Sequence, residues 1–425
     1  MASALISSKF PTTSITLPHE LWFEILQEAT FSPREFDVSA TAFRSGLRSG
    51  SDMHQYREYR KILSTRVAIV NVCRIWHNIG TKFLYGSVHF LSPSNEATNP
   101  WGRLNRLRML LESRPDIGTL VKRLSLPYDP ANQDAIDILR LCPRITIFSS
   151  SPTLSHDSWW APALLHPVLR QLDIMIYGRQ WSNVVSALNC LIYLEVLYIR
   201  VEWLCPAYPI NCPSLSLPAL RLLALSVHSD FGSIFNQIVT TFDVPRLQAL
   251  SFFPRAASHT HAPPLPPQLQ GVTSLKASHV HCFRADDLQN LNQVFLTVHP
   301  STLLPSLSSF IPFHRIERLG LNLPKSPWDW VDRMYNCERL LSFPLDVSAM
   351  PKLRILELCW SARRVVDWNS TAVDRSEFVE FFQGIITSFE QRGVHMSELD
   401  LLHDPMSFQS IVNSFSGKGR RQLCR

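Results

Sequence analysis

The side chains of this chain that could do chemistry are present, but their spacing does not bring them together. His259 and His261, and then His279, His281 and Cys282, carry the donor atoms for a zinc ion. A structural zinc site needs four such ligands, usually in two clusters of matched spacing, and no second cluster accompanies either group. Asp286 and Asp287 are adjacent. On a helix their carboxylates diverge, so they suit a helix start better than a general acid and base. The nine cysteines are scattered and form no CxxC, which argues against a zinc ribbon or a redox pair. No GxGxxG, GxxxxGKS/T, HExxH or GxSxG occurs, so the common phosphate, metalloprotease and serine-nucleophile signatures are missing. The expectation is no metal, no cofactor and no enzymatic activity.

Composition predicts a packed protein. The chain has 425 residues, 45% of them hydrophobic and 18% charged, enough for a sizeable core. The net charge is +6, and Lys418, Arg420, Arg421 and Arg425 follow the last acidic residue, Asp404. That basic tail, 406–425, holds most of the excess and reads as a frayed terminus. A nucleic-acid binder carries a basic stripe on its folded part. None is visible along the sequence, so no nucleic-acid partner is expected. Residues Leu288 to His314 contain no Asp, Glu, Lys or Arg, but they include Pro300, Pro305 and Pro312. Those prolines would leave backbone groups that lipid cannot satisfy, so the stretch reads as buried soluble structure and no membrane partner is expected. The opening residues MASALISSKF hold no secretory apolar run. Together these predict an intracellular protein of the cytoplasm or nucleus, with reduced thiols.

The first element that could position anything is ITLPHELWFEILQEA, Ile15 to Ala29. Pro18 suits a first helical position, and Glu20 and Glu24 favour the start of a helix through its dipole. Leu21, Trp22, Ile25, Leu26 and Ala29 form an apolar stripe wider than one small core needs. A polar, glycine-bearing stretch follows and reads as a loop insert over about 32–60. A second apolar run starts at Ile62, with Leu63, Val67, Val70 and Arg74 on one helical face and Ile69, Val72, Cys73 and Trp76 on the next. Gly80 marks a break or a close helix contact.

Leu17-Pro18-x-Glu20-Leu21-x-x-x-Ile25-Leu26, a gap, then Val72-Cys73-Arg74-x-Trp76-x-x-Ile79 and Phe83-Leu84-Tyr85 resemble the F-box of fungal proteins. The resemblance covers about seventy residues, and the long insert departs from it. It implies a small all-α module over 17–90, after a flexible 1–16, that binds the Skp-type adaptor of a cullin–RING ubiquitin ligase. The adaptor-binding residues it implies are Leu17, Pro18, Leu21, Trp22, Ile25, Leu26, Val67, Val70, Cys73 and Trp76. An exposed apolar patch of that size marks a protein interface. The plainer alternative is that these helices cap the domain that follows.

Residues 91–405 read as a repeat array. Pro167-VLRQLDI, Pro218-ALRLLAL, Pro245-RLQALSF and Pro351-KLRILEL share one signature, at multiples of a unit of about 26 residues. That period is in the leucine-rich-repeat range. Central apolar positions then fall at Leu124, Ile145, Leu172, Leu197, Leu223, Leu250, Leu275, Val294, Leu319, Leu356 and Leu399. Helix-like stretches lie between them, at Ala131–Leu141, Ser182–Leu191, Ser233–Phe242, Trp328–Leu341 and Ser376–Gln391. The fold class predicted is α/β: the helical module, then an irregular leucine-rich-repeat solenoid with a parallel sheet arc and outer helices. The Asn or Cys that regular repeats place after the strand is replaced by Asp129, Tyr177, Glu202, His228 and Arg255, so the turns must be satisfied in another way.

Residues flanking each central leucine should point to the concave face. That rule names Gln171, Asp173, Val196, Tyr198, Ala249, Ser251, Ser274, Lys276, Arg318, Glu357, Glu398 and Asp400 as a candidate surface for a protein substrate. Trp159, Trp160, Trp328 and Trp330 read as plugs between irregular repeats rather than partner anchors. The function expected is that of a ligase substrate receptor, and the alternative is a scaffold without ligase function.

Overall fold

The computed structural model describes residues 17–30, 52–90, 100–126, 133–150, 166–177, 181–202, 214–227, 242–254, 271–277, 290–297, 313–323, 351–360 and 395–397, with 391 and 393. Three helices come first: α1 (His19–Ala29), α2 (Asp52–Val70) and α3 (Arg74–Gly86). Pro18 sits at the N-cap of α1, one position ahead of the helix it was expected to enter. Thr30 closes that helix, its hydroxyl donating to the Leu26 carbonyl at 2.7 Å. Helix α2 begins at Asp52, inside the stretch expected to be loop; residues 31–51 lie outside the described part. The apolar run from Ile62 is broken at residues 71–73, not at Gly80. Gly80 is instead the close helix contact. A Cβ there would stand 2.8 Å from Ile69 Cγ2 and 3.0 Å from Val70 Cγ1.

The rest is a mixed α/β solenoid of parallel strands. Strand β1 (Ser87–His89) follows α3 without a linker, and α4 (Pro100–Ser113) and α5 (Pro115–Gly118) lead to β2 (Arg123–Leu126). Helix α6 (Gln133–Leu141) precedes β3 (Ile147–Ser150) and β4 (Gln171–Tyr177), and α7 (Trp181–Leu188) precedes β5 (Val196–Glu202). Then come β6 (Leu215–Ser216), β7 (Leu222–Val227), β8 (Phe242–Asp243), β9 (Ala249–Pro254), β10 (Ser274–Ala277), β11 (Gln293–Thr297), β12 (Arg318–Leu323), β13 (Ile355–Trp360) and β14 (His395–Ser397). Twelve of them form one sheet in the order β1-β2-β3-β4-β5-β7-β9-β10-β11-β12-β13-β14, with β6 and β8 paired separately. Every pairing is parallel.

Register puts one apolar residue of each strand in line: Val88, Leu124, Phe148, Leu172, Leu197, Leu223, Leu250, Leu275, Val294, Leu319, Leu356 and Met396. The expected centres are the observed ones except at two strands, where Phe148 replaces Ile145 and Met396 replaces Leu399. Ile145 belongs to a second row, three residues ahead of the centres, with Val121, Leu169, Leu194, Leu220, Leu247 and Ile316, all buried. Each fully buried side chain of this kind contributes about 1.5–3 kcal/mol. The prolines have a local reason. His166–Leu169, Leu217–Leu220 and Val244–Leu247 are four-residue turns closed from the fourth N–H to the first carbonyl, and proline at the second position presets the backbone such a turn needs.

Between the turn and the strand, one carbonyl per unit does the joining. The Lys122 carbonyl accepts from the N–H groups of Thr146 at 2.8 Å and Ile147 at 3.0 Å. Thr146, Arg170, Glu195, Arg221, Gln248, Thr273, Asn292 and Glu317 repeat the arrangement, each to the next strand. On the outer side α6 falls within one of the helix-like stretches predicted, and α7 overlaps a second, starting one residue before it at Trp181. Phe242, expected at the end of a third, begins β8, and Gln391, expected at the end of the last, is in a turn; the remaining helical expectations fall outside the described residues.

Two predictions follow from this packing. A Cβ on Gly118 would lie 2.1 Å from the Leu141 carbonyl oxygen, and backbone there has nowhere to move. Gly118→Ala should lower the urea midpoint by the equivalent of about 2–3 kcal/mol. Burial holds the His166 pKa below its usual value, opposed in part by hydrogen bonds to the backbone of Leu139 and Pro143. The unfolded chain therefore binds the proton more readily. Stability from this group is complete above about pH 6.5 and declines as pH falls below it. Urea titrations across that range should show the decline, and His166→Asn should flatten it.

Candidate functional site

The three helices close around a small core of their own. Leu26, Ile69 and Ile79 are buried together, with Trp22, Phe23, Trp76 and Phe83 packed against them. Trp22 and Trp76 meet at 5.1 Å between ring centroids, and Phe23 and Phe83 at 5.2 Å. The buried Arg66 guanidinium donates to the Thr30 carbonyl at 3.1 Å, fastening α2 to the end of α1.

With that core filled, other large apolar side chains stay outside. Leu21 is 43% exposed, Ile25 48% and Val67 43%; Val72 and Ile75, at the corner between α2 and α3, are exposed by more than half. Leu21 and Ile25 are one helical turn apart, so they share a face of α1. Water against such side chains is unfavourable, and several of them on one small module make a candidate docking surface.

The ten residues expected to bind an adaptor thus separate into two sets. Pro18, Leu21, Ile25, Val67 and Cys73 are exposed, and Leu17 and Val70 are half-buried. Trp22 and Trp76 are mostly spent on each other. Leu26 is a correction: it is 2% exposed and belongs to the module's own core, because it faces Ile69 and Ile79 while Ile25, next to it, faces out. Val72 and Ile75 were missed as surface residues. Their apolar character was plain, but the helix break that exposes them was not.

The concave candidates are brought into two rows by the register, one on each side of the centres. One row runs through Gln171, Val196, Ala249, Ser274 and Arg318, the other through Asp173, Tyr198, Ser251, Lys276 and Glu357. Much of this surface is not open. Gln171, Val196, Ala249 and Ser251 are buried, Ser251 completely. Asp173 is nearly covered, with Arg200 at 3.7 Å. Tyr198 is half-buried at the edge of a cluster of Val196, Leu222, Ala224, Ala249 and Phe295. The reason is lateral cover: strands are about 4.8 Å apart, so large side chains overhang small neighbours. Phe295 does this to Gly320, where a Cβ would lie 2.1 Å from the ring. Ser274 and Arg318 are half-exposed. Lys276 and Glu357 hold register positions in β10 and β13. Glu398 and Asp400 lie outside the described residues.

The same rows hold Arg123, Ser125 and Ser149, which sequence reasoning missed. Ser125 and Ser149 hydroxyls are 2.6 Å apart. Applying the flanking rule to Leu124 and to the true centre Phe148 would have found them.

The remaining chemistry is sparse. Burial pushes the Cys142 thiol up to about 12, so it stays protonated and inert; Cys73 and Cys190 are exposed. Among the described residues no group of three or more His, Cys, Asp or Glu is placed to hold a metal, and no helix is long and apolar enough to cross a membrane. His259, His261, His279, His281, Cys282, Asp286 and Asp287, and Trp159, Trp160, Trp328 and Trp330, lie outside that part. No family model matches the chain, and no curated protein matches it.

The division between exposed and buried positions on α1 can be measured directly. Leu21→Asp and Ile25→Asp should each change thermal stability by no more than about 0.5 kcal/mol. Leu26→Asp, one residue away, should melt the helical module, seen as lost ellipticity at 222 nm and loss of the near-ultraviolet signal of Trp22 and Trp76.

Proposed function

We propose that this chain is the substrate-recognition subunit of a cullin–RING ubiquitin ligase of the SCF type. In this reading the three helices are the F-box and dock the Skp-type adaptor, while the solenoid is an irregular leucine-rich-repeat domain that holds a protein substrate. The observation that carries it is the exposure of Leu21, Ile25 and Val67 around a module whose core is already complete. The F-box-like pattern of Leu17-Pro18-x-Glu20-Leu21 and Val72-Cys73-Arg74-x-Trp76 falls at the start of α1 and across the corner between α2 and α3. The subunit itself breaks no bond. It contributes proximity, raising the effective concentration of substrate lysines near the ligase.

The second reading is an interaction scaffold in which the helices serve only as a cap on the sheet. Two contacts favour it. Helix α3 runs directly into β1, and Tyr59 of α2 stacks on His89 at 4.3 Å and donates to the Ser87 carbonyl at 3.3 Å. A cap with no other task, however, would bury Leu21 and Ile25 rather than leave them in water.

A pull-down with purified Skp-type adaptor separates the two. Wild type should capture the adaptor, and the Leu21→Asp, Ile25→Asp double variant should lose it by at least about tenfold. A folded wild type that captures nothing would sink the ligase reading and leave the scaffold.

A further inference from the structure

The sequence shows no basic stripe, but the fold assembles one. Because the units stack in register, residues at the same place in successive turns line up along one edge of the sheet. The third residue of each turn projects from that edge. Arg144, Arg246, Arg315 and Lys352 occupy this place or its equivalent in the described units, and all are exposed. Two residues further on is the position whose carbonyl joins the units. There stand Lys122, Arg170, Arg221 and Arg354, also exposed. Against these eight cations the same two positions hold only two acids among the described residues, Glu195 and Glu317.

Nothing in the packing requires this. The joining contact at these positions is made by backbone, so any side chain would serve. Like charges on neighbouring strands repel and weaken the sheet slightly. Part of the charge is offset within the edge, where Arg170 donates to Glu195 at 2.7 Å; Arg221 donates to the neutral Gln248 at 3.3 Å and keeps its charge.

One stretch of the edge is apolar at its turn positions, beside the paired Arg170 and Glu195. The turns ahead of β4 and β5 expose Val168, Ile192 and Tyr193, the last two by more than half. In strand order these turns lie between Arg144 on one side and Arg221 and Arg246 on the other. An apolar patch framed by cations selects its partner. A nucleic acid would set phosphate or sugar against the aliphatic Val168 and Ile192, with the single ring of Tyr193 to stack a base, where a strand binder lines up several. An extended acidic peptide with an apolar side chain at its centre matches both parts.

We propose that this turn edge is a docking surface for an acidic, extended segment of another protein, anchored by an apolar residue over Val168, Ile192 and Tyr193. The reading does not depend on adaptor binding. Electrostatic complementarity of this kind governs encounter and partner choice and weakens with salt.

The probe is a fluorescein-labelled peptide of alternating Glu and Leu, about 15 residues long, enough at about 3.3 Å per residue to cover the strand spacings of about 4.8 Å from β2 to β13. Titrated by anisotropy with the full chain, it should bind with an affinity that falls as salt rises. Arg144→Glu with Arg246→Glu should weaken it at least about tenfold, and Ile192→Ser with Tyr193→Ser should weaken it independently. Arg144→Gln with Arg246→Gln guards against misfolding, and urea midpoints of all variants should match wild type. Affinity unchanged in the charge variants would overturn the proposal, since the basic tail would then be carrying the peptide. Equal binding of a Gln-for-Glu peptide, or tighter binding of an oligothymidylate of matched length, would overturn it as well. The charge variants should still capture the adaptor, so the two readings fail separately.

Discussion

The joining carbonyl, two residues ahead of each strand centre, is the contact on which the molecule depends. By accepting two N–H groups from the next unit it fixes both the spacing and the register of the strands that follow. What lies between one such carbonyl and the next matters little. From Leu275 to Val294 is 19 residues and from Leu319 to Leu356 is 37, yet both pairs face each other in unbroken register. Excursions are tolerated because the entropy of closing a loop grows only slowly with its length. Register itself is not negotiable, since a slip of one residue would turn every central leucine out of the core.

Two apolar rows complete the design, the centres and the residues three before them. Each unit buries these only against its neighbours, so the array needs protection at its ends. At the first strand that protection is the helical module. Ser87 is fully buried beneath it, and its hydroxyl lies 2.8 Å from the His89 ring nitrogen. The outer layer changes character along the array without disturbing the inner one. Helix α7 gives way to the short pair β6 and β8, and the Asn189 side chain bridges the change by bonding both Ser214 and Ser216 as a strand would.

The strand centres were legible because Pro-x-Leu-x-x-Leu is both a turn signal and a core signal, at a recurring distance. Ile145 was chosen over Phe148 by reading the apolar spacing without the turn. Pro143 stands where Pro167 and Pro218 stand, five residues ahead of the centre, and would have corrected it. The exposure of Leu21 and Ile25 was legible from a stripe too wide for one core, whereas Leu26 was not separable from it. Neighbours on a helix are told apart only by what packs against them. The covering of Ser251 and Gln171 was not legible at all, because it depends on which side chains stand on adjacent strands. The cationic edge escaped for a related reason. Its members are some 25 residues apart in sequence and become neighbours only after the units stack.

Helix α3 passes into β1 at Gly86–Ser87 with no intervening residue, and Lys122 donates its N–H to the Gly86 carbonyl at 2.9 Å, as though the helix end were one more unit. Such a junction has no swivel. Anything held by the helices and anything held on the sheet are therefore set apart by a countable length, one strand spacing of about 4.8 Å per unit. Reach in this protein is quantised. Insertion or deletion of a unit during evolution would move a bound partner by one such step, while growth of an outer loop would leave that distance unchanged.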